Sequence, residues 1–218
     1  MSSLLKIDNM SVSFATPRGN LRAVNDVTIE LLKGESLGVV GESGSGKTVL
    51  SRATMGLLPG TATRTGTITY NGQVISDLPK DEVRELWGTG MAMIFQDPMT
   101  ALNPVRRIGA QLTESLTVRL GMDKKAAKQK AIELLMRVRI PDPESMLRKF
   151  PYQLSGGMRQ RIMIAIAVSC EPQLLFADEP TTALDVTVQA QVLDLITELR
   201  KESDMAMILV THDLGVVA

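Results

Sequence analysis

The chain has 218 residues, with 24 Lys+Arg balanced by 24 Asp+Glu, one His and one Cys. That length holds one large domain, or one domain carrying a sub-domain, and is enough to bury a real core. Zero net charge removes the electrostatic case for nucleic acid as a partner, which needs a basic face, and the lone Cys170 excludes disulfide frameworks and cysteine metal sites.

The opening MSSLLKIDNM lacks the basic and apolar regions of a signal peptide. Residues 4–7 and 23–31 carry strand-like alternation, broken by Pro17 and Gly19. Residues 36–40 are a short apolar run ending in a glycine-rich loop, the pattern of a buried strand feeding a helix. Thr67-Ile68-Thr69-Tyr70, then Asn71-Gly72, then Gln73-Val74-Ile75 predict a hairpin, because Asn-Gly favours a type I′ turn. Residues 91–95 are strand-like, with Gln96 at their exit.

The middle of the chain is helical. Ile108, Leu112, Leu116 and Leu120 recur every four residues, and Ala127, Ala131, Leu134, Leu135 and Val138 line a second face. Pro141 and Pro143 end that stretch. Lys124, Lys125, Lys128 and Lys130 read as a solvated helix face. The last third predicts a helix over 155–170, a strand over 174–177, a helix over 186–201 and a strand over 206–210. Its longest apolar run, 162–168, falls far below the ~18 residues of a membrane span, so a cytoplasmic protein is expected. Strand–helix–strand order with apolar strands predicts a parallel sheet covered by helices.

Gly41-Glu42-Ser43-Gly44-Ser45-Gly46-Lys47-Thr48 fits the phosphate-loop pattern G-x-x-x-x-G-K-[ST]. Successive backbone N–H groups cradle phosphate there, so the loop needs glycines that accept unusual torsions and let phosphate oxygens approach. The helix that follows adds its free N–H groups and positive dipole end. Lys47 is placed to reach β- and γ-phosphates, and the Thr48 hydroxyl to ligate Mg2+. The pattern follows a predicted strand and precedes an apolar-periodic stretch, which is the context it requires.

Leu174-Leu175-Phe176-Ala177 followed by Asp178-Glu179 puts two acids at the end of a buried strand. Open α/β sheets bind ligands beyond the carboxyl ends of their strands. Asp178 then suits Mg2+ held through water, and Glu179, pointing the other way, suits a base that polarises an attacking water. Ser155 before Gly156-Gly157-Met158 is a good helix N-cap, and the two glycines bare the helix start to an anion. Alone, that is capping chemistry before it is a ligand site. Gln96 alone is an ordinary loop glutamine. His212 alone is a structural histidine, yet it stands at the carboxyl end of a strand, where an imidazole can contact a γ-phosphate.

Taken in order, GESGSGKT, Gln96, LSGGM, LLFADE, TALD (Thr182 to Asp185) and His212 resemble the nucleotide-binding subunit of an ATP-binding cassette (ABC) transporter. IFQDPMTALNP, ADEPTTALDVTVQAQVLDLI and THDLGVVA further resemble the dipeptide/oligopeptide/nickel importer branch. The resemblance covers essentially the whole chain. It implies an α/β fold: a P-loop NTPase (RecA-like) core over 1–98 and 158–218, an N-terminal antiparallel β sub-domain, and a helical sub-domain inserted at 99–157. It implies ATP and Mg2+, with Lys47, Glu179, Gln96 and His212 in the hydrolytic machinery and Thr48, Gln96 and Asp178 at the metal. Two subunits would pair head to tail, Ser155, Gly156 and Gly157 of one contacting the γ-phosphate held by the other, with Asp185 at their interface. Phe14 would stack on adenine. The pair, identical or not, would work on membrane permease subunits at the inner face of the cell membrane, served indirectly by a solute-binding protein, and hydrolysis would power import of short peptides or similar solutes.

Met158 stands where many members have Gln, and the importer branch often has Met there. Members continue for tens of residues past the histidine, so a truncated carboxyl end is expected. An ABC ATPase of the DNA-repair or chromosome-structure type is the rival reading, but neither its heptads nor its cysteine pairs occur. A decayed, non-catalytic module is opposed by Lys47, Glu179 and His212 standing together.

Overall fold

The structure, a computed structural model, describes residues 3–182 and 184–213. Its elements run β1 (Ser3–Thr16), β2 (Gly19–Leu32), β3 (Ser36–Val40), α1 (Lys47–Thr54), β4 (Ala62–Tyr70), β5 (Gln73–Val74), α2 (Lys80–Glu85) and β6 (Met91–Ile94). Then come α3 (Pro98–Ala101), α4 (Ile108–Leu120), α5 (Lys124–Arg137), α6 (Pro143–Met146), a 3-10 turn at Pro151–Gln153, α7 (Gly156–Val168), β7 (Leu174–Asp178), α8 (Val186–Ser203) and β8 (Ala206–Thr211). Contacts divide them into two compact units, one of residues 3–87 with 206–213 and the other Gly88–Met205.

The first unit holds an antiparallel sheet in the order β2-β1-β4-β5. Alternation places Leu5, Ile7, Met10, Val12, Leu31, Ile68 and Tyr70 in its core, and α1 packs on β1 and β2. The predicted strand at 4–7 is the start of a much longer one. It runs to Thr16 through a register shift between Ile7 and Met10, where Asn9 takes φ 50 and donates its N–H to Thr28 Oγ1 at 3.1 Å. Such a bulge hides strand periodicity, because the extra residue flips the face of everything after it. The predicted hairpin forms as read: Tyr70 pairs with Gln73, and Asn71 (φ 48) and Gly72 (φ 80) are both left-handed, as a type I′ turn requires.

The same unit pairs β3 with β8 in parallel, from Ser36 opposite Met207 to Val40 opposite Thr211. The strand at residues 36–40 is where it was expected, but it is not buried. Its residues alternate between exposed and half-buried, with Val40 36% exposed. Among the described residues β3 has one strand neighbour, β8, so its other edge stays open. The residues 214–218 that follow β8, and Ala183 in the TALD segment, lie outside the described residues.

In the second unit β6 and β7 pair in parallel, Met91 opposite Leu174 through Ile94 opposite Ala177. Helix α7 packs on β6. It touches β6, α3, α4, α5 and α8, and an almost wholly apolar 162–168 is what a helix surrounded on most sides needs. The α5 face at Ala127, Ala131, Leu134, Leu135 and Val138 is buried as predicted. Lys124, Lys125 and Lys128 are exposed, and Lys130 pairs with Glu171 at 3.1 Å. Cys170 is buried, and that burial pushes its thiol up, which suits an inert packing role. The short helices α2 and α3 escape the sequence reading, since six and four residues are too few to show a period.

One face differs from its prediction. Ile108, Leu112 and Leu116 are fully buried, but Leu120 is 44% exposed. A spacing of four overshoots the 3.6-residue turn by about 40° per step, so three steps carry Leu120 about 120° around α4. Leu112→Ala is therefore expected to cost about 2–5 kcal/mol of stability, and Leu120→Ala less than about 1 kcal/mol. Chemical denaturation of both variants checks the contrast.

Candidate functional site

In the first unit the chain leaves β3 at Gly41, turns with Ser45 N–H donating to Glu42 O at 3.2 Å, and enters α1 at Lys47. Gly46 makes that entry possible. It is left-handed (φ 93), and a Cβ there would lie 2.1 Å from the Ala23 carbonyl oxygen. No side chain fits, and none caps the helix start. Lys47 is 7% exposed and folds back over the loop, its Nζ donating to Gly41 O and Glu42 O at 2.7 Å each and reaching Ser45 Oγ at 3.5 Å. Those bonds draw the Lys47 side chain back against the loop's own carbonyls. Ser43, Gly44 and Ser45 are exposed at the rim, and Thr48 is half-buried in the first turn of α1.

His212 joins this loop through strand register. Val40 lies opposite Thr211, so Gly41 and His212 leave β3 and β8 level with each other. The imidazole is exposed, and the next residue is turned by Asp213 N–H donating to Thr211 Oγ1 at 3.0 Å. Phe14 is half-buried in β1 between Leu21 of β2 and Ala62 of β4. It sits on a central strand, and it belongs neither to an edge strand nor to the buried core.

The second unit gathers Gln96, Asp178 and Glu179. Asp178 ends β7 and is 1% exposed. Two residues past the last β6–β7 pair, Gln96 Nε2 donates to Glu179 Oε2 at 2.9 Å. Thr182 Oγ1 donates to the same oxygen at 2.9 Å. With its nitrogen committed to a carboxylate, Gln96 keeps its amide oxygen as an acceptor. Glu179 itself takes φ 45, a left-handed conformation that a non-glycine residue adopts at a cost of roughly 1–2 kcal/mol. Such strain persists where surrounding contacts over-determine it.

Ser155 caps α7, its Oγ accepting from Met158 N–H at 3.3 Å. Asp185 caps α8 in the same manner, accepting from Val188 N–H at 3.0 Å. The two helix starts are neighbours: a Cβ on Gly157 would lie 3.1 Å from Val188 Cγ1, and one on Gly156 3.9 Å from Leu184 Cδ2. So Ser155, Gly156, Gly157 and Asp185 form one surface of the second unit. One residue went unread in the sequence. Gln160, on α7, is 1% exposed and donates Nε2–H to the Pro180 carbonyl at 2.5 Å. Its only sequence signal is an amide set beside a run of apolar residues.

The ABC transporter family model matches residues 24–182. The oligopeptide transport ATP-binding protein OppD of Salmonella typhimurium is 50% identical over 215 residues, 99% of this chain and 64% of that protein. The dipeptide transport ATP-binding protein DppD of Bacillus subtilis is 50% identical over 220 residues, 100% of this chain and 66% of that protein. This chain thus spans just under two thirds of those relatives' length. Among solved structures, the ATP-binding cassette MJ0796, a dimer bound to ADP and Pi, superposes with a TM-score of 0.87 at 26% identity, covering 98% of this chain and 90% of that one. The likeness bears out an α/β cassette with an antiparallel sheet and parallel-paired strands. With the family model matching residues 24–182 and two curated relatives half identical across nearly all of it, the chain belongs to the ABC transporter family.

Proposed function

We propose that the chain binds Mg-ATP and hydrolyses it to power import of short peptides or similar small solutes through a membrane permease. The observation that carries this reading is the Gly41–Thr48 loop, which joins a glycine with no room for a Cβ to a buried lysine bonded to the loop's own carbonyls. Oxygen donors at Thr48, Gln96 and Asp178 suit a hard cation such as Mg2+. When bound, that ion neutralises charge on the phosphates. The half-identity to OppD and DppD, named for oligopeptide and dipeptide transport, supports the class of solute.

Each residue then has a task. Lys47 supplies charge to β- and γ-phosphate oxygens, and the N–H groups at the start of α1 add the helix dipole. Glu179 receives the proton of the attacking water, its carboxylate oriented by Gln96 and Thr182. His212, level with Gly41, contacts the γ-phosphate. Phe14 stacks on adenine, and Ser155, Gly156, Gly157 and Asp185 meet a second cassette subunit head to tail. Residues 99–157 act as the helical sub-domain that docks the permease. No helix among the described residues is long and apolar enough to cross a membrane, and the proposed location is peripheral, on the inner face of the cell membrane.

Replacing Lys47 with Ala removes a charge-assisted contact, so ATP affinity is expected to fall about tenfold or more. Isothermal titration with Mg-ATP measures it, and parental affinity would reject the loop assignment. Glu179→Gln keeps the shape and removes the base. It is expected to bind ATP normally while turnover drops about a hundredfold or more, read by phosphate release beside a binding titration. Normal turnover would move the base elsewhere.

A further inference from the structure

Gln160 stands out from the rest of the second unit's core. Its neighbours on α7, Ile162, Met163, Ile164 and Ala165, are buried and apolar, yet it carries an amide into the interior at 1% exposure. A buried amide needs a partner, and this one donates to the Pro180 carbonyl at 2.5 Å. Pro180 follows Glu179 directly and has no N–H of its own to anchor the turn. The turn is held instead by Thr182 N–H donating to Glu179 O at 3.3 Å and by Gln160. Glu179 occupies a left-handed conformation at φ 45 that needs such outside support.

We propose that Gln160 is a positioning residue for the Glu179 carboxylate, acting by clamping the Pro180 carbonyl. The proposal rests on the reading of Glu179 as the base. Gln96 and Thr182 orient the carboxylate from its oxygen end, while Gln160 holds the backbone from which that side chain springs. Gln160 makes none of the bonds that fold Lys47 over the phosphate loop, whose Nζ donates to Gly41 O and Glu42 O. The loss therefore falls on the chemical step, where a misplacement of about 1 Å costs on the order of a hundredfold.

The test compares steady-state ATP hydrolysis and nucleotide binding by the full chain in four forms: parent, Gln160→Met, Gln160→His and Glu179→Gln. Met fills the same space without a donor, and His keeps an N–H at similar reach. Gln160→Met is expected to lower kcat ten- to a hundredfold with the KM for ATP within about twofold, and Gln160→His to recover most of that loss. The proposal is overturned if Gln160→Met turns over like the parent while Glu179→Gln is inactive. It is equally overturned if Met and His variants lose kcat and ATP affinity together, the mark of a packing role alone. Should Gln160→Met fail to fold, Gln160→Leu, which also lacks a donor, decides by the same kcat-against-KM split. Parental turnover by Glu179→Gln removes the base reading, and with it the proposal, and is distinguished because it appears in a variant that leaves Gln160 intact.

Discussion

Parallel pairing of β3 with β8 sets Val40 opposite Thr211, so the phosphate loop and His212 leave their strands at one level. Parallel pairing of β6 with β7 sets Ile94 opposite Ala177, and Gln96 meets Glu179 two residues later. In both pairs the candidate site residues follow the carboxyl ends, because parallel strands exit in one direction and must return by crossovers. Gln96 and Glu179 are 83 positions apart in the chain, and register alone makes them neighbours. A slip of one residue in the β6–β7 pair would turn the side chains of the slipped strand to the opposite face and separate them.

Backbone conformation does a second part of the work, and the two clusters do it differently. At Gly46 the left-handed turn is occupied by the residue that meets no steric penalty there, and the Ala23 carbonyl excludes anything larger. At Glu179 the left-handed turn is occupied by a residue that is strained in it. A glutamate stands at that point against its own torsional preference, and surrounding contacts must hold it there. The hydrogen bonds from Gln96, Thr182 and Gln160 converge on that turn.

Helix α7 links packing to the candidate site within the second unit. Its apolar face covers β6 and meets four other helices, so its position is set by the core. Its first turn presents Ser155, Gly156 and Gly157 beside the start of α8. The small residues at that start matter sterically as well as electrostatically, since a Cβ on Gly157 would press within 3.1 Å of Val188.

The local chemistry of the chain was legible without coordinates. The Asn71-Gly72 turn, the phosphate loop with its strand before and helix after, and the apolar 174–177 run ending in Asp178-Glu179 all depend on neighbours in the chain, and short-range sterics decide them. The buried face of α5 was legible for the same reason, because helical period is a local property. What the sequence left open depends on which element comes alongside. The strand at 36–40 is as apolar as a buried strand, but burial needs partners on both sides, and β3 has β8 alone among the described residues. Leu120 fits a count of four and fails the 3.6-residue turn. Gln160 looks like any helical glutamine until Pro180 lies 2.5 Å from it across 20 positions of chain, a contact that only tertiary packing can create.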